Sequence, residues 1–209
     1  MKKTLLVDCD GVVLNWEYAF DCFMEEHGHT KIKESSVIYN IGERYGIELE
    51  QGRKLIKIFN DSAAIGFLPP LRDAVQYVTK LADEGWDFIA ITSLSTNKYA
   101  KKLRVKNLAK LFGEGTFSEV TCLATGADKD RALAKFAGSG LWWIEDKPEN
   151  AIAGLNAGLK PLLVEHGFNM DNTEVPLVKN WKEIYEIVTS DTKWLSLKLA
   201  SRKRVNETS

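Results

Sequence analysis

Short continuous apolar runs alternate with stretches in which apolar residues recur every three or four positions, and this alternation organises the chain. The runs at 4–8, 87–92, 119–123, 141–145 and 161–165 predict buried strands. Helical spacing covers 97–112, 129–137 and 148–157 between the later strands. Such alternation favours parallel strands covered by helices, so the predicted class is α/β, a doubly wound parallel sheet. The gap between the first two strands is too long for one crossover: it holds helical patterns at 17–27, 36–45 and 50–61, then Pro69-Pro70 and a helix over 71–84. Connections of that length are rarely without structure of their own, which predicts a small helical cap inserted after the first strand. The expected organisation is a core of 1–16 and 70–200, a cap of 17–69 and a flexible, basic-polar tail of 201–209.

Length and charge narrow the picture only a little. The 209 residues suffice for one good core and a modest insertion, not a second full domain. A formal net charge of −1 offers no global basic field, so no nucleic acid polymer is expected as a partner. No apolar run is long enough to span a bilayer, and Met1-Lys2-Lys3-Thr4 leads into a stretch too short for a secretory signal. The expectation is a cytoplasmic protein without a membrane partner. Cys9, Cys22 and Cys122 lack metal-ligand spacing and read as reduced, buried small hydrophobes. Nothing in the pattern predicts an oligomeric state.

Candidate chemistry collects at the strand ends. Leu5-Leu6-Val7-Asp8-Cys9-Asp10-Gly11 runs a buried strand into two acids and a glycine. The first carboxylate could serve as nucleophile and as ligand of a hard cation, the second as a proton donor and acceptor. Asp-x-Asp-Gly also opens calcium loops, and an acidic turn can simply close a strand. The second strand ends in Thr92-Ser93, whose hydroxyls could donate to a phosphoryl oxygen or cap the following helix. Lys129, within Asp128-Lys129-Asp130-Arg131, could place an ammonium beside the first carboxylate or stand solvated in a charge run. The strand Leu141-Trp142-Trp143-Ile144 ends in Glu145-Asp146, followed by Lys147-Pro148, where Pro148 suits a first helical turn. Asp146 could be that helix's N-cap. Two acidic strand ends nevertheless provide the oxygen ligands of magnesium, and their mutual repulsion itself calls for a cation. Trp142 and Trp143 read as packing.

Taken in order, Asp8-x-Asp10-Gly11, Thr92-Ser93, Lys129 and Glu145-Asp146 are similar to the four motifs of the haloacid dehalogenase (HAD) superfamily of phosphohydrolases, over nearly the whole chain. The stretches around Asp8, Thr92 and Asp146, with 67–71 and 178–184, further resemble its 5′-nucleotidase and deoxyribonucleotidase branch. The resemblance implies a HAD-like Rossmannoid core and an aspartyl-phosphate mechanism on a small phosphomonoester, a (deoxy)nucleoside monophosphate. Asp8 would attack phosphorus, Asp10 would move the proton, and Thr92 and Lys129 would steady the transferring oxygens. Magnesium would be held by Asp8, the backbone carbonyl of Asp10, and Asp146. Ser93, Lys147 and Phe67 would touch substrate, with Glu145 and Asn150 orienting the ligands from behind.

Two residues depart from that branch: Glu145 stands where an aspartate is usual, and Lys147 where an arginine is common, giving a point charge instead of a planar fork. Phe20, Tyr39 and Phe67 are aromatics that could stack on a base or fill the cap's core. Two other readings compete. A catalytically silent protein of the same fold sits poorly with intact Asp8 and Asp10. A sugar-nucleotide transferase using the Asp8-Cys9-Asp10 pair with manganese leaves the acids after Ile144 unexplained.

Overall fold

The computed structural model describes residues 3–32, 37–172 and 174–190. The central strand β1 (Lys3–Val7) is buried at Leu5, Leu6 and Val7, as a strand with neighbours on both sides and helices on both faces requires. The chain then leaves the sheet for α1 (Trp16–Glu26), α2 (Ile41–Tyr45) and α3 (Leu49–Asp61), followed by a 3₁₀ turn at Ala63–Phe67. It returns through α4 (Ala74–Asp83) to β2 (Trp86–Thr92), α5 (Lys98–Phe112) and β3 (Phe117–Cys122). A short α6 (Asp130–Leu133), then β4 (Trp142–Glu145), α7 (Pro148–Asn156), β5 (Lys160–Val164), β6 (Leu177–Val178) and α8 (Trp181–Val188) complete the described part.

All strand pairs are parallel, in the order β3-β2-β1-β4-β5-β6. The winding therefore runs outward from β1 to β3 and then restarts on the other side of β1 with β4. In open parallel sheets ligands bind at the carboxyl ends of the strands where the winding reverses. Here that point lies between Asp8, just after β1, and Glu145, at the end of β4.

The cap is a helical layer with an aromatic interior. Trp16 stacks on Phe20 with centroids 4.6 Å apart, and Phe59 meets both edge-on. Its two connections to the sheet are bonded to each other: Asn15 N donates to Pro69 O at 2.8 Å and Leu71 N to Val13 O at 2.9 Å. That pairing holds Leu71, and a turn closed by Ala74 N donating to Leu71 O at 2.9 Å, with Arg72 at a φ of +43°, follows it, so α4 starts at Ala74 rather than at 71.

Local signals set several other boundaries. Asn40 accepts from Gly42 N and starts α2 at Ile41, inside the expected 36–45, whose first residue lies outside the described chain. The helix expected over 129–137 is one α-helical turn plus a 3₁₀ turn at Ala134–Phe136. Strand β6 follows Pro176 and spans only two residues, too short for an apolar run to announce it. The tail of 201–209, and everything beyond 190, lies outside the described residues.

Candidate active site

Asp8 and Glu145 are neighbours because β1 and β4 are. Asp8 N donates to Ile144 O at 2.9 Å, which fixes the register where both strands end. Carboxylate oxygens of Asp8, Glu145 and Asp146 lie within 4.8 Å of one another. Lys129, wholly buried, reaches into this group: its Nζ is 2.7 Å from Asp8 Oδ2 and 2.7 Å from Glu145 Oε2. The solvated alternative for Lys129 is thus excluded. Burial alone would pull the ammonium's pKa down, but the two carboxylates hold it above the ordinary lysine value.

Three carboxylates against one ammonium leave two negative charges uncompensated if all are ionised. Burial first, then the charges of Glu145 and Asp8, push the Asp146 carboxyl well above its usual range; burial also raises Glu145. A divalent cation with a preference for oxygen would balance the set. Glu145 already accepts from Lys129, from Lys147 N at 3.1 Å and from Asn150 Nδ2 at 3.5 Å. Asp8 and Asp146 are the better-placed donors to an ion, with Glu145 tethering Lys129 behind them.

Asp10 does not join this cluster. Its carboxylate turns to Arg104 of α5, which donates from Nη1 to Oδ1 at 2.6 Å and from Nη2 to Oδ2 at 3.0 Å. Of the acids expected at this edge, Asp8, Glu145 and Asp146 share one cluster while the Asp10 carboxylate is held apart by Arg104, an arrangement that leaves the Asp10 backbone carbonyl, the contact expected of it, for a metal. Burial raises the Asp10 carboxyl above its ordinary range, against the lowering pull of Arg104. Gly11 then takes a left-handed φ of +74°, and a Cβ there would overlap the Asp146 carboxylate.

Thr92 is completely buried at the end of β2, and its hydroxyl has no hydrogen-bond partner among the described residues. Ser93 differs. Its hydroxyl donates to Ala127 O at 2.7 Å, so it ties the loop after β3 to the sheet and has no proton left for a ligand. The two hydroxyls expected to act alike are thus divided between one free donor and one structural tie.

A cavity of about 650 Å³ opens over this edge, with the cap as its other wall. Asp8, Asp10, Thr92, Ser93, Lys129, Glu145, Asp146, Lys147 and Asn150 all border it. Phe67 does not: its ring is 73% exposed and lies beside Lys110, with Nζ 5.9 Å from the centroid. Phe20 belongs to the aromatic interior of the cap, whereas Tyr39 borders the cavity with its ring against Phe168, centroids 5.0 Å apart.

Several solved structures share this fold at low sequence identity. A haloacid dehalogenase-like family hydrolase from Streptococcus pneumoniae is 12% identical with a TM-score of 0.63, covering 88% of this chain and 97% of that one. CbbY from Rhodobacter sphaeroides, solved with phosphate, is 14% identical with a TM-score of 0.57, covering 88% and 96%. A D,D-heptose 1,7-bisphosphate phosphatase from B. bronchiseptica, solved with magnesium and phosphate, is 11% identical with a TM-score of 0.53, covering 90% and 98%. The chain has the HAD-like fold. No family model matches it. Among curated proteins, an uncharacterized 32.4 kDa protein of the Gp30–rIII intergenic region of Enterobacteria phage T4 is 33% identical over 141 residues, covering 65% of this chain and 50% of that protein. The chain thus spans about half the length of the curated relative it matches.

Within this HAD-like frame, three residues at the site were missed by sequence reasoning. Arg104 is one. Its signal was a charge on the buried face of α5, in line with Ala100, Asn107 and Leu108. The other two follow β5: His166 meets Gly11 O through Nε2 at 2.7 Å, and Asn169 Nδ2 donates to Asp146 O at 2.7 Å and Val164 O at 2.8 Å. They brace the backbone of the two acidic loops and lie in a segment with no periodicity to mark them. Among the described residues no helix is long and apolar enough to cross a membrane.

Proposed function

We propose that the chain is a magnesium-dependent phosphohydrolase of small phosphomonoesters working through an aspartyl-phosphate on Asp8. The observation that carries this reading is the pairing of a buried, unpartnered donor at Thr92 with an anionic cluster at the same sheet edge. A buried hydroxyl without a partner costs about 1–3 kcal/mol, which a phosphoryl oxygen would recover. Phosphoryl transfer asks mainly for positioning and charge stabilisation, and these groups supply both.

In this mechanism an Asp8 oxygen forms a bond to phosphorus as the ester P–O bond breaks, and Asp10 delivers its proton to the departing oxygen. Asp10 then takes a proton from water as that water displaces Asp8, releasing inorganic phosphate. Thr92 and Lys129 steady the oxygens of the moving group. Asp8, the Asp10 carbonyl and Asp146 would hold the magnesium, which when bound neutralises charge on the phosphoryl oxygens. For Asp10 to carry a proton it must give up one of its two bonds to Arg104, so Arg104 sets how readily the acid is made.

The narrower reading, a nucleoside monophosphate as substrate, is supported by the aromatic surface that Trp16, Tyr39 and Phe168 add to the cavity wall. The test is phosphate release from p-nitrophenyl phosphate with magnesium, expected in the wild type and lost in Asp8→Asn. A wild type without release, or an Asp8→Asn variant that keeps it, removes the reading.

A further inference from the structure

The cations around the cavity differ in their partners. On the floor Lys129 is neutralised by Asp8 and Glu145, and Arg104 beneath it by Asp10, while Lys147 borders the phosphoryl position itself without a carboxylate ion pair among the described residues; Arg44 of the cap is paired with Glu17 at 2.8 Å. Those on α3 are not neutralised in this way. The face of α3 that borders the cavity carries Leu49, Arg53, Ile56, Lys57 and Asn60, at the spacing of one helical stripe. Among the described residues Arg53 pairs only with Glu50, at 3.8 Å, with both side chains about two-thirds exposed (67% and 68%), a pairing that contributes little. Lys57 forms no ion pair with a carboxylate among the described residues.

The placement of this stripe gives it a direction. Asn60 Nδ2 donates to Leu94 O at 3.1 Å, two residues beyond Thr92, so the carboxyl end of α3 rests on the catalytic edge. At 1.5 Å of rise per residue, Lys57 stands about 4–5 Å and Arg53 about 10–11 Å further along the helix from that end. The two α3 cations thus line the path from the phosphoryl position outward, while the apolar Leu49 and Ile56 lie between and beside them.

We propose that Arg53 and Lys57 form a second anion site, and that the ligand is a phosphomonoester carrying another phosphate or carboxylate roughly a sugar's length from the first. This rests on the reading of the Asp8 edge as the phosphoryl site, not on the nucleoside reading, and it replaces a simple monophosphate by one with a second anion on either a nucleoside or a sugar scaffold. A neutral tail would leave both cations to solvent, whereas a distal anion is met at the cavity wall by two charge-assisted hydrogen-bond donors.

The test is titration calorimetry with magnesium in Asp8→Asn, where turnover is not required. Two matched pairs are compared: fructose 6-phosphate with fructose 1,6-bisphosphate, and adenosine 5′-monophosphate with adenosine 3′,5′-bisphosphate. The bisphosphate of at least one pair is expected to bind about tenfold or more tightly than its monophosphate, and the pair that does so identifies the scaffold as sugar or nucleoside. Adding Arg53→Gln and Lys57→Gln should bring the members of that pair within about twofold, and Arg53→Glu with Lys57→Glu should invert the preference. Equal binding within both pairs, or a preference that survives the double substitutions, overturns the proposal. Failure of the phosphohydrolase reading would appear separately, as absence of p-nitrophenyl phosphate turnover by the wild type.

Discussion

Arg104 grips both carboxylate oxygens of Asp10 from a helix that otherwise packs its apolar face on the sheet. The guanidinium is fully buried and the Asp10 side chain 22% exposed, so neither charge has water enough to stand alone. Replacing Arg104 by Met is expected to cost about 3–5 kcal/mol of stability in urea denaturation, since it strands a partly buried carboxylate. Arg104→Lys keeps the charge but loses the fork; it should fold, with kcat lowered and KM little changed. A lysine variant with wild-type kcat would separate Arg104 from the proton transfer.

The Thr92 hydroxyl predicts opposite effects on folding and turnover. Thr92→Val keeps the shape and removes an unpartnered buried hydroxyl, so unfolding free energy should hold or rise by about 1 kcal/mol. Phosphate release should fall, because a donor to the transferring group is gone. Chemical denaturation alongside steady-state kinetics checks both halves. A stability loss with unchanged kinetics would mark Thr92 as a packing residue.

Magnesium and protons compete for the same oxygens. The Asp146 and Glu145 carboxyls are raised in the folded protein, so without metal the fold binds protons that the unfolded chain releases. Their contribution is therefore present at low pH and lost as pH rises through the folded-state values. Bound metal replaces those protons, so the rise in melting temperature on adding magnesium should be larger near about pH 8 than near about pH 5.5. Asp146→Asn should shrink the rise at both. A rise independent of pH would remove Asp146 from the ion's ligands.

His166 gives a stability change of the other sign. Burial lowers its pKa from the ordinary value, and the neutral ring can donate from Nε2 to Gly11 O. The unfolded chain thus binds a proton that the folded one resists, and the stabilisation is full above about pH 6.5 and lost as pH falls below it. His166→Gln should flatten that part of the stability profile. An unchanged profile would assign the acid loss to other groups.

Sequence pattern revealed five of the six described strands because buried parallel strands are continuous apolar runs, and it marked Asp8 and Asp146 because acids directly after such runs have few structural reasons to be there. Lys129 was ambiguous for a physical reason. A lysine between two aspartates looks solvated until the crossover geometry turns it inward onto Asp8. Arg104 was hidden by its own helix, whose outer face carries five lysines and makes one more cation unremarkable. His166 and Asn169 bond to backbone oxygens, which leave no trace in side-chain pattern, and Ser93 could not be told from Thr92 until the Ala127 carbonyl was seen to take its proton.

The two strands of chain that join cap to sheet are stitched to each other at Asn15–Pro69 and Val13–Leu71. A module with entry and exit so close together behaves as a cassette. Its length and composition can change without altering the spacing of β1 and β4, so a foreign insert with similarly close ends could be grafted at this seam while Asp8, Glu145 and Asp146 keep their mutual positions.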